Sequence, residues 1–215
     1  MKKEIIPILL IILMFIAGAY FYDKVNLNEE GKMPIHWNAK GEVDSYGNRF
    51  IGLFLMPVVV VLIYLLFQLI PTMAVYKEHL EEFKGEIYGM KVVFILFFIA
   101  IYIATLLPSF GYNINMNYFI IPWISLLFIY LGYAIKDAKR NFFIGIRTPW
   151  TLASDRVWNK THKIGSKLLM VTGVVFLLAL VFPKYMIWII IVPILLVILF
   201  LFIYSFVEYK KLKRP

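Results

Sequence analysis

Six long apolar runs make up most of this 215-residue chain, and none of its 22 Lys and Arg or 13 Asp and Glu lies inside one. The runs are Ile5 to Tyr22, Ile51 to Met73, Val92 to Phe110, Tyr118 to Ile135, Leu168 to Phe182 and Met186 to Val207. In hydrocarbon a crossing backbone has to satisfy its own hydrogen bonds, so each run reads as a helix of about 20 residues. The fifth run is short, and Ile164 to Lys167 extend it inward, with Lys167 snorkelling to the headgroups. The chain is 62% hydrophobic and 16% charged, which excludes an ordinary water-soluble domain with about 25% charged residues. The expected fold is therefore all-α, a polytopic six-helix transmembrane bundle. Residues 1–73 supply two spans and a polar loop, 23–50. Residues 74–215 supply four spans and a basic loop, 136–167.

Lys and Arg are retained in short cytoplasmic loops. Seventeen of the 22 fall in the N-terminus, the loops 74–91 and 136–167, and the tail after Val207, and only five on the other side. Both termini are accordingly expected in the cytoplasm. Trp123 and Trp188 lie near the outer span ends, as an interfacial aromatic belt requires. A second reading of the N-terminus is open. Lys2 and Lys3 precede an apolar core, and Ala17-Gly18-Ala19 resembles a signal-peptide cleavage site, whereas Tyr20, Phe21 and Tyr22 lengthen the run into an uncleaved anchor.

The composition narrows the function. A chain with no cysteine has no disulfide framework, thiolate metal site or cysteine nucleophile. Proton relays and ion-coupled transporters place titratable groups in mid-membrane, and these spans carry none. Gln68, Pro71, Ser125, Thr172, Gly173 and Pro193 are the polar or irregular positions there, best read as packing and kinking sites. His36 falls outside, while His79 and His162 fall inside in different loops, so no metal site is expected across about 30 Å of hydrocarbon. No HExxH, GxSxG or GxxxxGK pattern occurs, and no catalytic residue or cofactor is expected. The net charge of +9 is a topology signal concentrated in the loop 136–167 and the tail, with no direct nucleic-acid partner implied.

Two segments change character. The first, MPIHWNAKGEVDSYGNRF from Met33 to Phe50, is rich in turn formers: Pro34, Asn38, Gly41, Asp44 and Gly47. The loop 23–50 is too short to fold around its own core and has to rest on helix ends or lipid, with Ile35, Trp37 and Val43 as anchors. Two readings stand side by side: a cap that packs the bundle, or a recognition surface of exposed His, Trp, Asn and Asp.

The second segment, NFFIGIRTPWTLASDRVWNKTHKIG from Asn141 to Gly165, breaks any arriving helix at Thr148-Pro149. Ser154 or Thr151 is the expected N-cap of the next helix, with Asp155 favourable in its first turn. Trp158, Thr161, His162 and Gly165 then share one helix face. This reads as an interfacial helix leading into the fifth span. The loop 136–167 carries a net +6, which anionic membrane lipid attracts at about 1 kcal/mol per Lys or Arg. Charge alone does not account for Gly145, Arg147, Pro149 and Trp150 together.

Both segments resemble known ones. PIHWNAKGEVDSYGNR is similar to the extracellular signature of a bacterial domain of unknown function, DUF1648, and NFFIGIRTPWTLASDRVWNKTHKIG resembles the signature of the SdpI-type immunity proteins. The order of spans and motifs matches over nearly the whole chain. The resemblance implies a bacterial plasma-membrane protein that protects its producer from a secreted toxic peptide, the sporulation delaying protein used in cannibalism. It also implies a second role, holding a small DNA-binding autorepressor at the membrane. On that reading Pro34, His36, Trp37, Asn38, Gly41 and Asp44 face the toxin outside. Asn141, Gly145, Arg147, Thr148, Pro149, Trp150, Trp158 and His162 form the partner platform inside. The rival reading is a small multi-span exporter of a peptide or lipidic substrate.

Overall fold

The computed structural model describes residues 4–73 and 77–212. The basic residues Lys2, Lys3, Lys213 and Arg214, used above to orient the chain, lie outside these. In chain order the elements are α1 (Ile5–Phe21), β1 (Lys32–Trp37), β2 (Val43–Asn48), α2 (Arg49–Met73), α3 (Lys77–Glu82), α4 (Lys84–Leu106), α5 (Met116–Ile135), α6 (Pro149–Ala153), α7 (Asp155–Phe176), α8 (Leu178–Val181) and α9 (Met186–Leu212), with a 3-10 turn at Leu107–Phe110. The membrane body is helical. Among the described residues five helical segments are long and apolar enough to cross a membrane: Arg49–Met73, Lys84–Phe110, Met116–Ile135, Asp155–Val181 and Pro183–Leu212. The helix in the first apolar run, α1, has 17 residues and spans about 25 Å.

The chain divides into two compact units. One holds the residues up to Leu66 together with Val92–Trp123. Its core is Met14, Met33, Leu53, Val60, Ile95 and Tyr102, packed by Phe21, Phe54 and Phe98 from α1, α2 and α4. β1 and β2 pair antiparallel, from Lys32 opposite Asn48 to Trp37 opposite Val43, with an irregularity around His36. The sequence shows turn formers here but no clean alternation, because the bulge breaks the two-residue period. The hairpin's anchor is Met33, fully buried against Gly52, whereas the expected anchors Ile35, Trp37 and Val43 are only half-buried. Removing a side chain of that size from water contributes about 1.5–3 kcal/mol. Gly47, expected as a turn former, lies instead in β2 beneath Ile35, where the packing requires its small size and its φ is not positive.

The second unit holds Phe67–Lys91 and the residues from Ile124 on. Leu80, Phe83, Ile87 and Met90 of the α3–α4 region pack on Ala134 and Ala138, flanked by Phe67, Tyr130 and Leu131. Small residues let the helices approach closely. A Cβ at Gly132 would press on the Ser166 carbonyl, and one at Gly173 on the Ser125 carbonyl, the packing use expected of Ser125 and Gly173. α7 runs from Asp155 to Phe176 as one helix, which carries the interfacial stretch directly into the fifth apolar run. Nothing between Gly165 and Leu168 breaks the ladder, and Lys163 and Lys167 stay exposed along it.

Candidate functional site

Two sites emerge, one in each unit. In the first, Asn38 builds the hairpin turn: its Oδ1 accepts the Lys40 and Glu42 amides at 2.8 and 3.2 Å, and its Nδ2 donates to Glu42 Oε2 at 3.1 Å. Gly41 closes the turn at φ +80°, a conformation glycine adopts without strain. The tip is then clamped from outside. Asn115 Nδ2 donates to the Lys40 carbonyl and Asn117 Nδ2 to the Ala39 carbonyl, both at 3.1 Å. A Cβ on Gly41 would overlap the Asn115 amide. Beside the clamp lies a cavity of about 290 Å³ lined by Gly41, Glu42, Val43, Pro108, Tyr112 and Asn115.

Further along the hairpin, His36 donates from Nδ1 to Asp44 Oδ1 at 2.5 Å. Their side chains are 68% and 40% exposed, so the pair is organised yet open to a ligand. Pro34 pairs with Tyr46 in the ladder. Trp37 is half-buried, and its indole N–H is buried without an acceptor among the described residues. Arg49 donates to Asp23 at 2.8 Å, and Asn48 Oδ1 accepts the Ile51 amide, tying the hairpin's exit to the start of α2.

The second site is the segment leading into α7. Asn141, 2% exposed, uses its whole amide: Nδ2 donates to the Lys139 and Ile144 carbonyls, and Oδ1 accepts the Phe143 and Ile144 amides at 2.8 and 2.7 Å. This fixes a tight bend that ends on Gly145 at φ +124°. His162 Nε2 accepts the Ile146 amide at 2.9 Å, so Nδ1 carries the proton and donates to the Trp158 carbonyl at 2.9 Å. That imidazole is neutral by its bonding. Trp158 stacks on it at 4.0 Å and donates from Nε1 to the Ala138 carbonyl at 2.6 Å. A Cβ on Gly145 would run into His162 Nε2.

Thr148 and Thr151 form a reciprocal capping box at the start of α6, with Pro149 in the first helical position where its missing N–H costs nothing. Ser154, not Thr151, caps α7. Thr148 Oγ1 donates to Ser205 Oγ at 3.0 Å, and Trp150 packs edge-on against Phe202 and beside Phe206 of α9. Arg147 is exposed and donates to the Phe142 carbonyl.

The structure thus joins Asn141, Gly145, Trp158 and His162 into one buried cluster and Thr148, Pro149 and Trp150 into a second contact on α9. Trp158 and His162 are each 0% exposed, so these two shape the segment and do not present themselves to a partner. Arg147 and Pro149 are the exposed members. Sequence reasoning missed Asn115, Asn117 and Glu42 at the hairpin tip, although the alternating Asn113, Asn115 and Asn117 between two apolar runs were a usable signal. It also missed Glu208, 5% exposed, which accepts from Lys160 at 2.5 Å and Lys211 at 2.6 Å. Nothing in sequence distance pairs Lys160 with Glu208.

Residues 137–205 match the SdpI/YfhL protein family, and residues 9–61 match a domain of unknown function, DUF1648. The chain is 31% identical over 213 residues to a protein of Bacillus subtilis (strain 168) named immunity protein SdpI, covering 99% of this chain and 98% of that one. No solved structure matches.

Proposed function

Because the chain belongs to the SdpI/YfhL protein family, we propose that it is a multi-pass immunity protein of the bacterial plasma membrane that protects its producer against a secreted peptide toxin. The observation that carries this reading is the full-length similarity to a named immunity protein, which spans both the hairpin and the α6–α7 segment. In this reading α1 is a sixth crossing, both termini are cytoplasmic, and the hairpin faces outward while 136–167 faces the cytoplasm. The distribution of Lys and Arg supports it. So do contacts within each unit. The hairpin tip bonds to Asn115 and Asn117, and His79 donates from Nδ1 to the Arg140 carbonyl at 2.6 Å. Alternating spans put each of these partners on one side of the membrane.

The hairpin meets the toxin through the open His36–Asp44 pair, with Asn38 fixing the backbone that carries it and Trp37 half-buried beside it. The exposed Arg147 and the Pro149–Trp150 corner are the surface for a small DNA-binding repressor. Uncharged spans favour binding over ion-coupled export, and no catalysis is invoked. Expression of the chain in toxin-sensitive cells tests the reading: survival under toxin is the expected result, and killing at the rate of empty cells overturns it. Efflux of labelled toxin from vesicles bearing the protein would favour the exporter instead. Membrane recruitment of the repressor, lost in Arg147→Ala while protection is kept, separates signalling from immunity.

A further inference from the structure

Apart from both sites, the second unit contains a cleft of about 620 Å³ built almost wholly from charged side chains. Asp155, Asn159 and Lys163 line one wall, four residues apart and so on one face of α7, distinct from the buried Trp158 and His162 face. Lys136, Asp137, Lys139 and Arg140, which follow α5, line the other, and His79 of α3 completes it.

Ion pairs already occupy part of this charge. Arg140 Nε lies 2.8 Å from Asp155 Oδ1, and Lys139 pairs with Glu82. That leaves Lys136 and Lys163 as cations on opposite walls, Asp137 as the single opposing carboxylate, and the Asn159 amide as a neutral donor. These side chains are exposed, and Lys136 and Lys163 have no ion pair among the described residues. Apart from the His79 imidazole, every side chain of the lining ends in a charged or amide group. It suits a compact anion with several acceptor oxygens, reached by ammonium groups from two directions. Lys136 directly follows the last residue of α5, a helix long and apolar enough to cross a membrane, so the cleft adjoins the end of a candidate span.

We propose that this cleft is a phosphate-binding site, with Lys136 and Lys163 supplying the charge and Asn159 a neutral hydrogen bond. The phosphate comes either from an anionic phospholipid headgroup or from a soluble phosphate ester. The full-length protein, purified in detergent, is incubated with phosphatidylglycerol, with phosphatidylcholine or with glycerol phosphate, and retention is read by native mass spectrometry. The Lys136→Gln/Lys163→Gln variant is compared with Arg156→Gln/Lys167→Gln, which removes the same charge from exposed positions of α7 outside the cleft.

Phosphatidylglycerol retention that falls roughly tenfold in the first variant and less than about twofold in the second supports the site with lipid as its source. Glycerol phosphate showing the same lysine dependence, without phosphatidylglycerol, supports it with a soluble source. Equal losses in the two variants, no retention of either probe, or lysine-dependent binding of polyglutamate alone overturns it. All substituted side chains are exposed, so unchanged thermal midpoints are expected and separate lost binding from lost fold.

Discussion

The hairpin of the first unit and the α6–α7 segment of the second are both rich in polar and aromatic residues, but they use them oppositely. In the hairpin, Asn38 and Gly41 set the backbone, and the His36–Asp44 pair is left open to solvent. From Asn141 into α7, by contrast, Asn141, Thr148, Trp158 and His162 are all turned inward, and their hydrogen bonds hold the bend or tie it to α9. A dense motif is therefore not by itself a contact surface. Where the backbone lacks helix or strand partners, side chains have to supply its hydrogen bonds, and an unsatisfied buried amide costs about 1–3 kcal/mol.

Substitutions can break this contrast. The largest effect is expected for Trp158→Ala, which empties a fully buried indole site and frees the Ala138 carbonyl. A loss of about 3–5 kcal/mol should lower the thermal midpoint in detergent and the amount of folded protein in the membrane. Gly145→Ala should follow at about 1–3 kcal/mol from backbone strain alone, raised by the collision with His162 and measured in the same melt. Asn141→Ala should cost about 2 kcal/mol, whereas Asn141→Asp, which keeps one acceptor but loses both donors, should recover only part of it. At the small end, His36→Ala with Asp44→Asn should leave the melt unchanged and abolish protection in a survival assay. If that pair destabilises the protein as Asn141→Ala does, the hairpin is architecture as well. If Trp158→Ala melts like the wild type, the segment is not.

Much of the membrane body was legible in sequence. Charge-free apolar runs carry their own hydrogen bonds, so their helices need no tertiary information; α2, α5 and α9 follow them closely, while α4 and α7 begin well before their runs. The break at Thr148-Pro149 and the Ser154 cap on α7 were local chemistry too, whereas the short α6 between them was not read. The hairpin was visible only as turn formers, because its bulge around His36 breaks the two-residue period and the Asn115–Asn117 clamp joins residues more than 70 positions apart. The same holds for Lys160 with Glu208, 48 positions apart. At the sites, residue types were legible and direction was not. The spacing of Trp158 and His162 defines a face, but only the fold decides that this face turns inward.

The central claim is that the two regions work on opposite sides of the membrane, and a chain without cysteine allows that to be measured directly. Single cysteines at two exposed positions, Lys40→Cys at the hairpin tip and Arg156→Cys on α7, are treated in intact cells with a membrane-impermeant maleimide. Labelling of Lys40→Cys in intact cells, with Arg156→Cys labelled only after permeabilisation, is the predicted result. Labelling of Arg156→Cys in intact cells, or protection of Lys40→Cys until they are opened, would contradict the account.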